Sequence, residues 1–80
     1  MKEKIIEIMR LVAADSELKL DAHLDDETIL LESGLDSLGF AVLVAHLEEE
    51  LGYDPFSMME EPVYPRTLGE FIAIYNRFAP

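Results

Sequence analysis

Residues 36–52 read DSLGFAVLVAHLEEELG, and this stretch decides the class of fold. Its apolar residues recur at the spacing i, i+3, i+4, i+7, which is typical of one face of an α-helix. Asp36 or Ser37 can cap this helix at its start, and Gly52 follows its last apolar residue, where a C-terminal glycine is favoured. We therefore predict a helix with a core-facing stripe, formed by Phe40, Leu43, Val44, Leu47 and Leu51.

Helical patterns also occur on both sides of this stretch. The first runs from about Glu3 to Ala14, and residues 56–61 can form at most a short helix before Pro62. The last begins at Thr67-Leu68-Gly69-Glu70, a capping box in which the threonine and glutamate side chains bind each other's backbone amides. No segment alternates with a strand period. The sequence predicts an all-α fold, a small four-helix bundle formed by one domain over residues 1–80.

A long loop separates the first two predicted helices. It shows no sustained period but carries scattered leucines, namely Leu18, Leu20, Leu24, Leu31 and Leu35. Structureless loops of this length are uncommon inside a compact domain. Two interpretations are open: residues 26–32 contain a helical turn, or the leucines hold an irregular crossover against the core.

Composition and charge exclude several classes of function. Seventeen acidic and six basic residues give a net charge of −11, which repels nucleic-acid phosphates and anionic membranes and favours basic patches on proteins. The absence of cysteine excludes disulfides, thiolate zinc sites and a thiol nucleophile. With no membrane-length apolar run and no signal peptide, we expect a cytoplasmic monomer that neither inserts into membranes nor binds nucleic acid.

No catalytic or metal-binding constellation stands out. His23 and His46 lie on different segments without ligand spacing, and the acidic run 25–27 lacks the residue order of a calcium loop. The glutamates at 48–50 are typical of a solvated helix face. We therefore predict no enzyme, no catalytic residue and no metal site.

Ser37 stands where the long loop turns into the predicted second helix. A phosphate attached to its hydroxyl would face the positive end of the helix dipole and unpaired backbone amides. Local chemistry alone favours a simpler interpretation, in which Asp36 and Ser37 only cap the helix.

The wider pattern changes this balance, because the sequence resembles the acyl carrier protein family and the related peptidyl and aminoacyl carrier domains. Gly34-Leu35-Asp36-Ser37-Leu38 is similar to the family's G-x-D-S-L/M attachment motif, and residues 47–52, LEEELG, are similar to the ending of its second helix. The resemblance covers nearly the whole chain: a first helix, a long loop, a serine on the second helix, a short third helix and a threonine-capped last helix.

This resemblance implies a carrier function. A phosphopantetheinyl transferase would join the Ser37 hydroxyl to the 4′-phosphopantetheine of coenzyme A through a phosphodiester, using its own magnesium and base. The thiol of the arm would then carry acyl or aminoacyl groups as thioesters from a loading ligase or transferase to downstream synthases. Asp36 would contact a basic group of the transferase, and Ser33 is the next candidate should Ser37 not be modified.

The sequence departs from the family pattern after the serine. Carriers of bacterial fatty-acid synthesis usually have acidic residues where this chain has Gly39 and Val42, so we expect a more apolar exposed face near the arm. This difference favours a specialised lipid, secondary-metabolite or surface-polysaccharide pathway. We predict that partners with basic docking patches bind an outward face of the second helix, formed by Leu38, Val42, Ala45, Glu48 and Glu49.

Two alternatives to the carrier remain at this point. The chain could be an acidic helical interaction module that binds partners without modification, or a weak binder of divalent cations.

Overall fold

The structure is a computed structural model that describes residues 1–61 and 64–80. Four α-helices and one short 3₁₀ turn occur in these residues. The helices are α1 (Lys2–Asp15), α2 (Ser37–Leu51), α3 (Pro55–Met58) and α4 (Leu68–Arg77), and the 3₁₀ turn is Leu30–Glu32. No strand longer than an isolated bridge forms in the described ranges, which confirms the all-α prediction.

The first helix ends in a tight turn that no glycine in the sequence indicates. The Leu18 amide donates to the Ala13 carbonyl (2.8 Å) and the Glu17 amide to the Ala14 carbonyl (3.3 Å), which is the hydrogen-bond pattern of a Schellman motif. Glu17 adopts a left-handed conformation (φ 58°), a position where glycine is usual. The turn redirects the chain, and Leu18 packs against the core.

Both interpretations of the long loop hold in part. A helical turn does form, but only over Leu30–Glu32. Four of the five scattered leucines also contact or join the core; Leu31 is the exception, with 60% of its surface exposed. The loop therefore folds back on the bundle and orders itself by burying side chains rather than by periodic backbone structure.

A short backbone clamp ties this loop to the start of α4. Ile29 and Thr67 form an isolated antiparallel bridge. On either side of it, the Leu30 amide donates to the Arg66 carbonyl (3.1 Å) and the Leu68 amide to the Thr28 carbonyl (2.8 Å). The 3₁₀ turn and the connection into α4 are therefore held side by side.

One hydrophobic core joins α1, the loop, α2 and α4. Its fully or nearly buried members are Ile5, Ile8, Met9, Val12, Leu30, Leu35, Leu43, Leu47, Leu68, Phe71, Ile72 and Tyr75. Aromatic rings fill its α2–α3–α4 side: the Phe71 ring lies 5.5 Å from Phe40, 6.1 Å from Phe56 and 5.0 Å from Tyr75, centre to centre. These spacings are those of favourable aromatic pairs.

The structure confirms both predicted ends of α2 and the predicted start of α4, whereas α3 is shorter than the range 56–61 given for it. Asp36 caps α2 and Gly52 ends it in the left-handed conformation (φ 83°). The short helix covers Pro55–Met58, and Pro62, expected to limit it, lies outside the described residues. The Thr67–Glu70 capping box forms as predicted.

Candidate functional site

The loop before α2 is shaped by a glycine. Gly34 has φ 106°, and a β-carbon there would lie 2.0 Å from the carbonyl oxygen of Lys19. Only glycine tolerates both this conformation and this close approach. Leu35 follows and is almost fully buried. The glycine and the leucine together fix the path of the chain into Asp36 and Ser37.

Asp36, and not Ser37, is the N-cap of α2. Its Oδ1 accepts a hydrogen bond from the Gly39 amide (2.7 Å), and its own carbonyl accepts from the Phe40 amide (2.9 Å). The aspartate therefore satisfies the start of the helix by itself, as capping aspartates do. The capping interpretation is correct for Asp36, and it leaves the serine hydroxyl unused.

Ser37 is the first residue of α2 and is exposed. Within the described residues, no group hydrogen-bonds its hydroxyl. The backbone amides of Ser37 and Leu38 lie in the first helical turn, where no acceptor exists within a helix. An accessible hydroxyl thus lies at the positive end of a 15-residue helix, beside backbone amides that can donate hydrogen bonds to a phosphate oxygen.

Ser33 is not accessible, although it lies only four residues before Ser37. It is fully buried, and its hydroxyl donates to the Leu30 carbonyl at 2.6 Å. The expectation that Ser33 is the next candidate is therefore wrong, because modification would require the 3₁₀ turn to open. Ser57 is exposed, but its hydroxyl already donates to the Asp54 carbonyl (2.9 Å).

The exposed face of α2 differs from the prediction at two positions. Gly39 is buried, and a β-carbon there would lie 3.1 Å from each of Leu18 and Leu35. Val42 is half-buried and packs against the core, so it lies at the edge of the outward face and not on it. An acidic side chain at position 39 would therefore have to displace the side chains of Leu18 and Leu35, and one at position 42 would lie at the edge of the core.

The rest of the predicted face is exposed. Leu38 has 72% of its surface exposed, and Ala45, Glu48 and Glu49 are also exposed. Glu50 forms an ion pair with Lys4 (3.4 Å), whereas neither Glu48 nor Glu49 has a described basic group within 4 Å. The structure thus leaves an apolar residue beside Ser37 and two uncompensated carboxylates further along the same helix.

The histidines and the acidic run at 25–27 form no second site. Asp25 turns the loop: its Oδ1 accepts from the Glu27 amide (2.9 Å), which lowers the pKa of this carboxyl, and its other oxygen contacts the exposed His23 ring. His46 is half-buried on α2. Across residues 1–61 and 64–80, no three histidine or acidic side chains are arranged to hold a metal ion. In the same ranges, no helix has the length and apolarity needed to cross a membrane.

Comparison with known proteins agrees with this geometry. Residues 4–59 match the family model described as the phosphopantetheine attachment site. The chain belongs to this family. It is a phosphopantetheine-carrying protein, and carriers of this family are not catalysts. Curated proteins and solved structures gave no match.

The residues of the site fit the cofactor that the family carries. The attached 4′-phosphopantetheine needs an accessible hydroxyl, space beside it and donors for its phosphate. Ser37 has such a hydroxyl, and the first turn of α2 has amides without a helical acceptor that could donate to the phosphate. When bound, the group supplies a thiol that forms thioesters, and the protein holds and orients it.

Proposed function

We propose that this chain is a carrier protein whose Ser37 Oγ bears the 4′-phosphopantetheine arm through a phosphodiester. The observation that carries the proposal is the accessible, unbonded hydroxyl of Ser37 at the start of α2, inside the segment that matches the attachment-site family. Ser33 is buried, and the Ser57 hydroxyl donates to the Asp54 carbonyl, so both are less suitable attachment sites than Ser37.

Intact mass tests the attachment site. The chain is incubated with a broad-specificity phosphopantetheinyl transferase, magnesium and coenzyme A, and its mass is measured. We expect wild type and Ser57→Ala to gain one phosphopantetheine, and Ser37→Ala to gain none while keeping its circular dichroism spectrum. Modification of Ser37→Ala would move the attachment site elsewhere. A wild-type chain that gains no mass would favour the alternative, an acidic helical module that binds partners without modification.

The surroundings of Ser37 support a specialised pathway. On α2 itself, the exposed residues that follow Ser37 are the apolar Leu38 and Ala41, and the exposed acids of the helix begin only at Glu48, three turns further along. We infer a cytoplasmic carrier of acyl or aminoacyl groups for a specialised lipid, secondary-metabolite or surface-polysaccharide pathway. Its partners are the transferase, a loading ligase or acyltransferase, and downstream synthases with basic docking patches.

We further propose that these partners dock on an outward face of α2 formed by Leu38, Ala45, Glu48 and Glu49, with Val42 at its edge. Leu38 would provide buried apolar contact, and the two glutamates would speed the encounter with a basic surface. Asp36 lies beside Ser37 and is exposed, so its second carboxylate oxygen is available to a basic group of the transferase.

Exposed substitutions test this face. Leu38→Asp should leave the fold intact, because exposed substitutions usually change stability by less than about 0.5 kcal/mol. It should slow loading by the transferase, and Glu48→Lys should slow it mainly at low salt, where charge attraction is least screened. Leu11→Asp, at an exposed leucine on α1, is the matched control. Equal loading rates for Leu38→Asp and Leu11→Asp would contradict this assignment.

A further inference from the structure

A small apolar cleft opens beside Ser37. Its volume is about 170 Å³, and it is lined by Leu30, Leu31, Ser37, Phe40, Tyr64 and Pro65. Apart from the two hydroxyl groups, the lining side chains are hydrocarbon. The cleft therefore accepts an apolar group and offers little to a polar one.

Three separate segments build this cleft. Leu30 and Leu31 belong to the 3₁₀ turn, Phe40 to the first turn of α2, and Tyr64 and Pro65 to the connection before α4. The hydrogen bond from the Leu30 amide to the Arg66 carbonyl (3.1 Å) joins the first and third of these segments. Since that bond belongs to the backbone clamp, the cleft is a built feature of the fold.

Two side chains of the cleft are unusually exposed for apolar residues. Leu31 has 60% of its surface exposed and Tyr64 has 83%. Leu30, by contrast, is buried and forms part of the core. Exposed apolar groups gathered at one place usually mark a binding site, whereas single ones do not. Here they gather around the hydroxyl proposed to carry the arm.

We infer that this cleft seats the dimethyl carbon of the phosphopantetheine arm, an inference that rests on the proposed attachment to Ser37. Next to its phosphate, the arm has a methylene and then a carbon with two methyl groups, and amides follow only beyond these. Because Ser37 itself lines the cleft, a group attached to its oxygen starts there. The dimethyl carbon is the nearest apolar part of the arm.

Size and polarity both favour this occupant. An apolar cavity of about 150 Å³ binds a molecule the size of benzene. A cleft of about 170 Å³ therefore accommodates a branched group of a few carbons, but not an extended acyl chain. An acyl cargo lies at the other end of the arm. Bringing it into the cleft would require the arm to fold back on itself, which costs conformational freedom.

Seating the dimethyl carbon would restrict the start of the arm and leave its thiol end mobile. The phosphate would stay at the first turn of α2, and the arm would leave the protein between Leu31 and Tyr64. Both residues would then belong to the arm-binding surface of this carrier, although the arm is attached to neither.

Nuclear magnetic resonance on the loaded protein tests this inference. Wild type, Leu31→Asp, Tyr64→Ala and the control Leu11→Asp are loaded from coenzyme A until intact mass shows complete conversion. In wild type and the control, we expect nuclear Overhauser effects from the two arm methyls to the Leu31 and Tyr64 side chains. The methyl resonances should also be shifted from those of free coenzyme A, because the rings of Phe40 and Tyr64 are close. In Leu31→Asp and Tyr64→Ala, these shifts should fall by at least half.

The possible results distinguish a failure of this inference from a failure of the proposed carrier function. Complete loading with arm methyls that resonate as in free coenzyme A would overturn the seat and leave the carrier function standing. The inference would also be overturned if the protein loaded with an octanoyl group showed nuclear Overhauser effects from the octanoyl chain to the cleft residues and none from the arm methyls. A wild-type chain that gains no mass would remove the proposed function and this inference together.

Discussion

We assign two roles to the side chain of Asp36. Its carboxylate caps α2 through the Gly39 amide (2.7 Å), and it is also the residue that we expect the transferase to contact. A capping bond needs only an acceptor oxygen, which asparagine also has, whereas attraction to a basic group needs the charge. Substitutions at Asp36 can therefore separate the two roles.

We predict that Asp36→Asn keeps the stability of the wild type, and that Asp36→Ala loses about 1 kcal/mol of unfolding free energy. Both should slow loading of Ser37, because both remove the charge. Urea unfolding and the rate of mass gain measure the two effects. If Asp36→Asn loads at the wild-type rate, the aspartate acts through the helix cap alone.

Individual residues also show which structural features can be predicted from the sequence and which cannot. The C-terminal glycine of α2 and the capping box of α4 depend on neighbours in the chain, so the sequence predicts them; the N-cap of α2 it narrows to Asp36 or Ser37, and the structure selects Asp36. The burial of Gly39 depends on Leu18 and Leu35, which reach it only after the loop has folded back. The helical pattern alone does not predict that α2 is rotated about its axis so that Gly39 faces these two leucines. Tyr64 carries no signal at all in the sequence, since its role depends on the clamp between the loop and the start of α4.

Among the elements, α4 has the most complete terminal bonding. The Glu70 carboxylate accepts from the amides of Arg66 (2.7 Å) and Thr67 (3.1 Å), and the Glu70 amide donates to the Thr67 hydroxyl (3.2 Å). The two amides bonded to the carboxylate lower the pKa of Glu70. This end of α4 also adjoins the clamp that holds the arm cleft, so its stability matters for the site.

We predict that this capping box makes stability depend on pH in a known direction. A carboxyl whose pKa is lowered by folding stabilises the folded state above its ordinary pKa of 4.5, and the stabilisation is lost as the pH falls through the lowered value. Glu70→Gln should therefore be less stable than wild type at pH 7. The difference should shrink as the pH falls below 4.5.

Urea unfolding at several pH values measures this difference. Glu7→Gln is the control, because it removes the same charge from an exposed position of α1 outside the capping box. The control also corrects for the general relief of repulsion when acids become protonated. A constant difference between wild type and Glu70→Gln from pH 7 to pH 3 would show that the charge of Glu70 does not contribute to the cap.

The far end of α2 is organised less favourably for stability. Its last turn carries Glu48, Glu49 and Glu50 and no basic residue, although the negative end of a helix dipole favours cations. In the part of the chain that the structure describes, Glu50 pairs with Lys4 and the other two glutamates have no basic partner. These exposed carboxylates lower the stability of the helix, but they are available to a basic partner. This supports the outward face of α2 as the partner-binding side.

At the scale of the whole molecule, the negative charges greatly outnumber the positive ones. The net charge is −11 on 80 residues, and only two close pairs between lysine and an acid occur in the described residues, Lys2–Asp26 (3.0 Å) and Lys4–Glu50 (3.4 Å). All four partners are partly exposed, so these pairs contribute little. Self-repulsion of this kind destabilises a compact state.

We therefore predict that the melting temperature rises when sodium chloride is increased from a few millimolar to moderate concentrations, or when millimolar magnesium is added. At about 0.1 M salt the screening length is about 10 Å, which is comparable to the spacing of charges on so small a surface. If screening recovers about 1 kcal/mol, the melting temperature should rise by about 4–8 °C, as expected for a domain of this size. Calorimetry or circular dichroism measures the shift.

A charge variant distinguishes repulsion from a general effect of salt on folding. Replacing both Glu48 and Glu49 with glutamine changes the net charge from −11 to −9 and removes no ion pair seen among the described residues. This variant should melt at a higher temperature than wild type in dilute buffer, and the difference should narrow as salt is added. Parallel salt curves for the two proteins, or a flat curve for the wild type, would contradict the prediction. They would mean that the acids are spaced widely enough for water alone to screen them, and that the glutamates of α2 can be kept for partners without loss of stability.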